Sequence, residues 1–227
     1  MIVGNGQLAQ VFEDCDNNDV CIFASGVSNS NCQDPKEFER ERNLLLKTLE
    51  KNKDKKFVYY SSCALSAKEY PKNDYYKHKE YMENIIKEYS SNYYIFRIPQ
   101  LFGNLILHKT LINFIYQSIK QEHRFNIYDK AYRYVIEVND VKKLVLEYLK
   151  HSKSCITVDL ANSYRYKVVD IVNIFEELLD KKAIYNFVEK DDQYTLDLSK
   201  VTAFIEDFDI DINFGEEYLK NKLKEKI

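Results

Sequence analysis

An α/β fold with a doubly wound parallel sheet is what the sequence predicts, and the order of its apolar runs predicts it. Short runs of strand length alternate with longer stretches of helical spacing, and small residues stand where the strands end. The chain has 227 residues, 45% hydrophobic and 30% charged. That balance is globular, and the length suffices to bury a core without disulfide staples.

"MIVG" at residues 1–4 has the length of a short buried strand, and "GQLAQVF" after it has helical spacing until "EDCDNND" breaks it. "VCIFAS" (20–25) is a second apolar run, closed by Gly26. The helix that follows has a full start signal: Asp34 as cap, Pro35 at its first position and Glu37 where a capping box places an acid. Leu45, Leu46 and Leu49 supply its apolar face. "KFVYYSS" (56–62) is a third strand, a helix runs from about Asn73 to Tyr89, and "NYYIFRIP" (92–99) is a fourth strand. "YRYVIEV" (132–138) and "SCITVDL" (154–160) are further strands, and "VVDIVNIFEELLD" (168–180) is an amphipathic helix.

The net charge of -3 argues against a nucleic-acid or anionic-membrane binder, because no basic excess exists to neutralise phosphates. Nineteen tyrosines would suit a base-stacking groove, but the acidic balance argues against one. Five cysteines, odd in number and never in Cys-x-x-Cys, predict free thiols and a cytoplasmic setting. The start has no basic region followed by a long apolar run, and nowhere do 18 apolar residues run together, so neither a signal peptide nor a membrane span is expected. His78, His108, His123 and His151 lack ligand spacing, so no metal site is expected. Cys63 has no visible partner for nucleophilic work and is better placed as a buried strand residue.

Three short stretches carry chemistry. Gly4-Asn5-Gly6-Gln7-Leu8-Ala9 follows a strand and opens a helix, the context in which a Gly-x-Gly-x-x-Ala turn can seat a pyrophosphate against helix N–H groups. Alone, the turn fits a ligand-free connection equally well. Ser61 and Ser62 fall at the C-terminal end of a strand, the edge where open α/β sheets bind ligands. Tyr75 and Lys79 are four apart and share a helix face. A phenol titrates near pH 10, and a nearby ammonium would make Tyr75 a more usable acid or base.

In this order, followed by "FRIPQLFGN", the stretches resemble the extended short-chain dehydrogenase/reductase family of nucleotide-sugar epimerases, dehydratases and ketoreductases. "SSCA" is similar to the serine segment of GDP-fucose synthase-type enzymes, and "GNGQLA" to the turn of dTDP-4-keto-sugar reductases. "RYVIEVNDV" (133–141) resembles the segment where an arginine contacts sugar-nucleotide phosphates. The resemblance implies a Rossmann-like cofactor core over 1–100, with 101–227 interleaving the remaining strands with a small substrate lobe. It implies Tyr75 as general acid/base, Lys79 lowering its pKa and binding the nicotinamide ribose, and Ser61 on the reacting oxygen, with Ser62 close enough to take that place. Gly4, Gly6, Gln7 and Leu8 would face the pyrophosphate of NADP or NAD, Ala24, Ser25 and Gly26 would line the adjacent strand end, and Pro99 would lie near the nicotinamide. Arg133 would clamp substrate phosphate. A homodimer is implied through helices 35–51 and 73–89, with Phe38, Leu45, Leu49, Met82, Ile85 and Ile86 either as its surface or packed only on their own sheet, and polysaccharide biosynthesis as the setting.

The departures are as informative. Only about fifteen residues separate Gly4 from Val20, where the family has two further strand–helix units. The acidic residue that holds the adenosine ribose, about twenty positions past the glycines, is replaced by Ala24, Ser25 and Gly26. Val3 stands at the family's first glycine and Ala9 at its last. Two readings follow: a shortened reductase or epimerase, or a sugar-nucleotide-binding or scaffold protein that kept the fold without its redox chemistry.

Overall fold

Strands buried on both faces read as continuous apolar runs, and "VCIF" forms such a strand with all four residues buried. In the computed structural model, which describes residues 1–15, 18–107 and 110–227, this run is the second strand of a parallel sheet. Asp16, Asn17 and His108 lie outside the described residues. The chain divides into two units, Met1–Ile98 with Val141–Leu160, and Pro99–Asp140 with Ala161–Ile227.

The first unit opens with β1 (Ile2–Val3), the single turn α1 (Gln7–Gln10) and β2 (Val20–Phe23). Then come α2 (Pro35–Lys51), β3 (Lys56–Ser62), a 3₁₀ turn at Cys63–Leu65, α3 (Asp74–Tyr89) and β4 (Tyr93–Ile98). The second unit continues with β5 (Gln100–Phe102), α4 (Leu111–Lys120), β6 (Phe125–Arg133) and β7 (Val135–Glu137). Helix α5 (Val138–His151) enters the first unit at Val141, and β8 (Ile156–Asp159) completes that unit's sheet. The rest of the second unit is β9 (Tyr166–Lys167), α6 (Val168–Leu179), β10 (Tyr185–Asp192), α7 (Ser199–Asp207) and α8 (Tyr218–Lys224).

Helix starts follow the predicted chemistry. Asp34 accepts the Lys36 N–H at 2.9 Å with Pro35 at the first position, and Asn73 accepts the Tyr76 N–H at 3.1 Å. Glu37 turns to Arg40 on the exposed face instead of closing a capping box.

The sheet of the first unit runs β1-β2-β3-β4-β8, all parallel. Helices α2 and α3 pack one face through Leu45, Leu49, Met82, Ile85 and Ile86, against Cys21, Phe23, Phe57, Tyr59 and Ile95. The other face meets Phe12 against Tyr60 and, from α5, Tyr148 against Phe96. This is a Rossmann-like α/β arrangement covered on both faces, but its strand order advances in one direction only. Among the described residues β1 pairs β2 alone, so the half-sheet that lies beyond the first strand in a full doubly wound fold is missing. Leu45, Leu49, Met82, Ile85 and Ile86 are core residues, which corrects their expected role as a dimer surface.

The second unit holds a three-stranded sheet, β10-β6-β9, and the parallel pair β5-β7. The run 132–138, expected as one strand, divides at Tyr134 between β6 and β7, and Val138 begins a helix.

Gly4 adopts φ +130°, and a Cβ there would lie 2.5 Å from the Ala24 carbonyl oxygen. Gly6 has an ordinary φ of −80° and open space where its Cβ would be. Gly4→Ala is therefore expected to cost about 2 kcal/mol or more. Gly6→Ala should stay within about 0.5 kcal/mol. Urea unfolding of the two variants checks the contrast.

Candidate functional site

The C-terminal ends of β1, β2 and β3 bring the predicted residues of the first unit together. The β1 turn touches the β2 end, since Gly4 sits against the backbone of Ala24 and Ser25. The β2 end in turn touches α3: a Cβ on Gly26 would lie 2.7 Å from Lys79 Nζ. Lys79 Nζ then lies 5.9 Å from the centroid of the Tyr75 ring. Gly4 and Gly26 are exposed and Gly6, Gln7, Leu8, Ala24 and Ser25 half-buried, whereas Tyr75, Lys79 and Ser61 are buried at 8%, 4% and 4% exposure.

Glu41 explains that enclosure. It lies on α2, four and eight residues before Leu45 and Leu49, on the apolar face, and is fully buried. Its Oε1 accepts from Lys79 Nζ at 3.0 Å and from the Tyr59 hydroxyl at 3.0 Å. Its Oε2 accepts the Val27 N–H at 2.7 Å and stands 3.1 Å from His78 Nε2. Lys79 also donates to the Tyr59 hydroxyl at 3.2 Å, and the His78 ring stacks on Phe38 with centroids 4.5 Å apart. Burial alone would raise the Glu41 pKa, but Lys79, His78 and the Val27 N–H together bring it down to about 2.

The phenol of Tyr75 moves the opposite way from the sequence expectation. Burial first, then Tyr76 and Glu41, push its pKa up from the ordinary value. The Lys79 ammonium is hydrogen-bonded to Glu41 at 3.0 Å and lies beside the ring, 5.9 Å from its centroid.

A second ion pair holds α3 one turn further on. Arg97 grips Glu83 with two hydrogen bonds of 2.8 and 2.7 Å and donates to Ser66 Oγ at 2.9 Å, and Ser66 donates to Asp159 at 2.6 Å. Ser61 Oγ is enclosed beside Glu83 without closing a well-formed hydrogen bond. Ser62 is half-buried, and its Oγ accepts the Ala64 N–H at 3.4 Å to start the 3₁₀ turn. Cys63 is buried, its Sγ donating to the Arg97 carbonyl at 3.1 Å, and burial pushes its thiol pKa well up. It is a structural thiol.

Pro99 and Arg133 belong to the second unit. Pro99 separates β4 from β5. The Arg133 guanidinium, expected on substrate phosphate, donates to the Asp192 carbonyl at 2.7 Å and pairs with its carboxylate, tying β6 to β10.

Glu41 and Glu83 were not anticipated from sequence, yet the signal was present. Both are acids placed at helical spacing among core residues, Glu41 with Leu45 and Leu49, Glu83 with Lys79 and Ile86. A buried acid on an amphipathic helix needs a cation, and here Glu41 has the buried Lys79 and Glu83 the half-buried Arg97.

No family model and no curated protein matches the chain. Solved structures match it over nearly its whole length. dTDP-glucose 4,6-dehydratase from Bacillus anthracis, in complex with NAD, is 16% identical with a TM-score of 0.73, covering 96% of this chain and 75% of that one. UDP-glucuronic acid 4-epimerase from Bacillus cereus, in complex with UDP-glucuronic acid and NAD, is 16% identical with a TM-score of 0.71, covering 98% and 80%. RMD from Pseudomonas aeruginosa, complexed with NADPH, is 15% identical with a TM-score of 0.69, covering 96% and 83%. The likeness is one of fold: a Rossmann-like α/β chain similar to NAD-dependent epimerases and dehydratases of nucleotide sugars.

The Glu41 pKa yields a stability test. Its folded value of about 2 lies below the ordinary carboxylate value of 4.5, so its contribution is present above pH 4.5 and lost as the pH falls through about 2. The difference corresponds to about 3 kcal/mol. Glu41→Gln strands Lys79 without its partner and should lower stability at neutral pH by about 3–5 kcal/mol. It should also flatten the loss of stability between pH 4.5 and 2. Urea midpoints of both proteins across that range decide it.

Proposed function

We propose that this chain is an NAD(P)-dependent oxidoreductase acting on a nucleotide-linked sugar, a ketoreductase before an epimerase. One observation carries the proposal: the packed series Gly4–Ala24 and Gly26–Lys79–Tyr75 sets a phosphate-type turn and an acid/base pair at one end of one sheet. The fold neighbours solved with NAD or NADPH support it.

The residues fit the inner part of a dinucleotide. Gly6 leaves open the space a side chain would fill, at the N-terminus of α1, so phosphate oxygens can approach the backbone there. Ala24, Ser25 and Gly26 form the wall beside it. The adenosine end has no strand beyond β1 to rest on, which leaves pyrophosphate and nicotinamide as the gripped groups. When bound, the nicotinamide supplies a hydride. Tyr75 then gives a proton to the carbonyl oxygen of the substrate, and Ser61 or the more accessible Ser62 polarises that oxygen. Lys79 keeps one donor beyond those given to Glu41 and Tyr59, enough for a ribose hydroxyl. For Arg133 to hold a substrate phosphate, it must exchange Asp192 for it.

A second reading has its own support. The missing half-sheet and the neutralised lysine suit a sugar-nucleotide-binding or scaffold protein without redox chemistry. Titration with NADPH and NADH separates the two. Micromolar binding that Gly6→Val abolishes while the fold persists supports the oxidoreductase. No binding of either dinucleotide at millimolar concentration by the folded protein overturns it. Given binding, Tyr75→Phe should reduce turnover of a keto nucleotide sugar by at least about 100-fold. Affinity should change by less than about threefold, since the lost hydroxyl is not asked to hold the cofactor.

A further inference from the structure

Glu41 belongs to none of the motifs that mark the site, yet it joins two parts of it, Lys79 on α3 and the loop after β2. One oxygen fixes Lys79 and Tyr59, and the other fixes the N–H of Val27, the residue after Gly26. Lys79 Nζ fits against Gly26 only because that residue has no Cβ. A single carboxylate thus sets the place of the lysine and the place of the β2 loop.

It also sets their charge. A lone ammonium this close to a phenol would favour the phenolate. Lys79 is not alone: Glu41 lies 3.0 Å from its nitrogen, in a cluster where both groups are buried. The titratable groups around the pair are Glu41 from α2, His78 and Tyr76 from α3, and Tyr59 from β3, on which Glu83 of α3 acts in turn.

We infer that Glu41 is a positioning residue for the Tyr75–Lys79 pair, seating Lys79 against Gly26 and cancelling its charge so that Tyr75 is held in its protonated, donating form. The inference rests on the oxidoreductase reading and adds the state in which the pair works. In that state the Tyr75 O–H bond breaks and its proton passes to the oxygen of a carbonyl. The carbonyl carbon receives a hydride from a reduced nicotinamide dinucleotide, which is left oxidised. The carbonyl π bond is replaced by new C–H and O–H bonds, and water returns a proton to the phenolate.

The test is an NMR titration of the full chain labelled with carbon-13 at tyrosine Cζ, with Tyr75→Phe assigning the resonance. In the wild type Tyr75 should stay protonated beyond about pH 10. In Glu41→Gln, with Lys79 no longer compensated, it should titrate at least about one unit lower. A folded Glu41→Gln in which Tyr75 titrates within about half a unit of wild type overturns the inference. If that variant does not fold, the neutral double variant Glu41→Gln/Lys79→Met takes its place. Cancelled charges predict a Tyr75 titration within about half a unit of wild type there, and a rise of about one unit or more overturns the inference. The titration needs no cofactor. Failure of NADPH to bind therefore sinks the oxidoreductase reading, while an unmoved phenol with NADPH bound sinks this inference alone.

Discussion

The buried Glu41–Lys79 pair is the constraint on which the rest of the first unit depends. Four segments meet at it: α2 brings the carboxylate, α3 the ammonium and imidazole, β3 the Tyr59 hydroxyl and the β2 loop a backbone N–H. Stability alone does not require a buried ion pair, since well-packed apolar residues often serve as well. What an ion pair adds is a single arrangement. The carboxylate has four groups in place, and moving any of the segments leaves a buried polar atom unmatched.

Helix α3 is moored twice, by Lys79 to Glu41 and, one turn later, by Glu83 to Arg97. The moorings are four residues apart and so lie on the same face, toward the sheet. Tyr75 precedes Lys79 by the same interval and inherits a fixed position from both. Its phenol is therefore held by the rigid part of the fold, and its enclosure follows from packing between α3 and the loops after β2 and β3. The same enclosure raises its pKa, so rigidity and proton affinity have one origin.

The shortened connection from β1 to β2 has a local effect as well as a global one. It removes the strands that would flank β1 on its outer side, leaving β1 at the edge of the sheet. It also sets β2 directly beside the first turn, where Gly4 meets the Ala24 carbonyl. The turn survives because a glycine at φ +130° can bend there and no side chain obstructs Gly6. The first turn thus keeps its shape without the neighbouring half-sheet.

Much of this was legible from residues alone. The apolar runs at 20–23, 56–62 and 93–98 have the length and composition of buried strands, and Asp34-Pro35 and Asn73 mark helix starts by hydrogen-bonding chemistry that is local. Local signals also brought Tyr75, Lys79, the serines and the glycines to one sheet end, because strand ends and helix faces follow from periodicity. Helices 111–120 and 138–151 and strand 185–192 escaped that reading, since the last is exposed along most of its length and held by pairing with β6. What only the tertiary structure decided was charge and burial. Glu41 and Lys79 are 38 residues apart, and nothing local shows that they meet. Their meeting turns a lysine expected to acidify Tyr75 into one whose charge is already spoken for. Electrostatics depends on distance in space and on exclusion of water, and neither is written in sequence order.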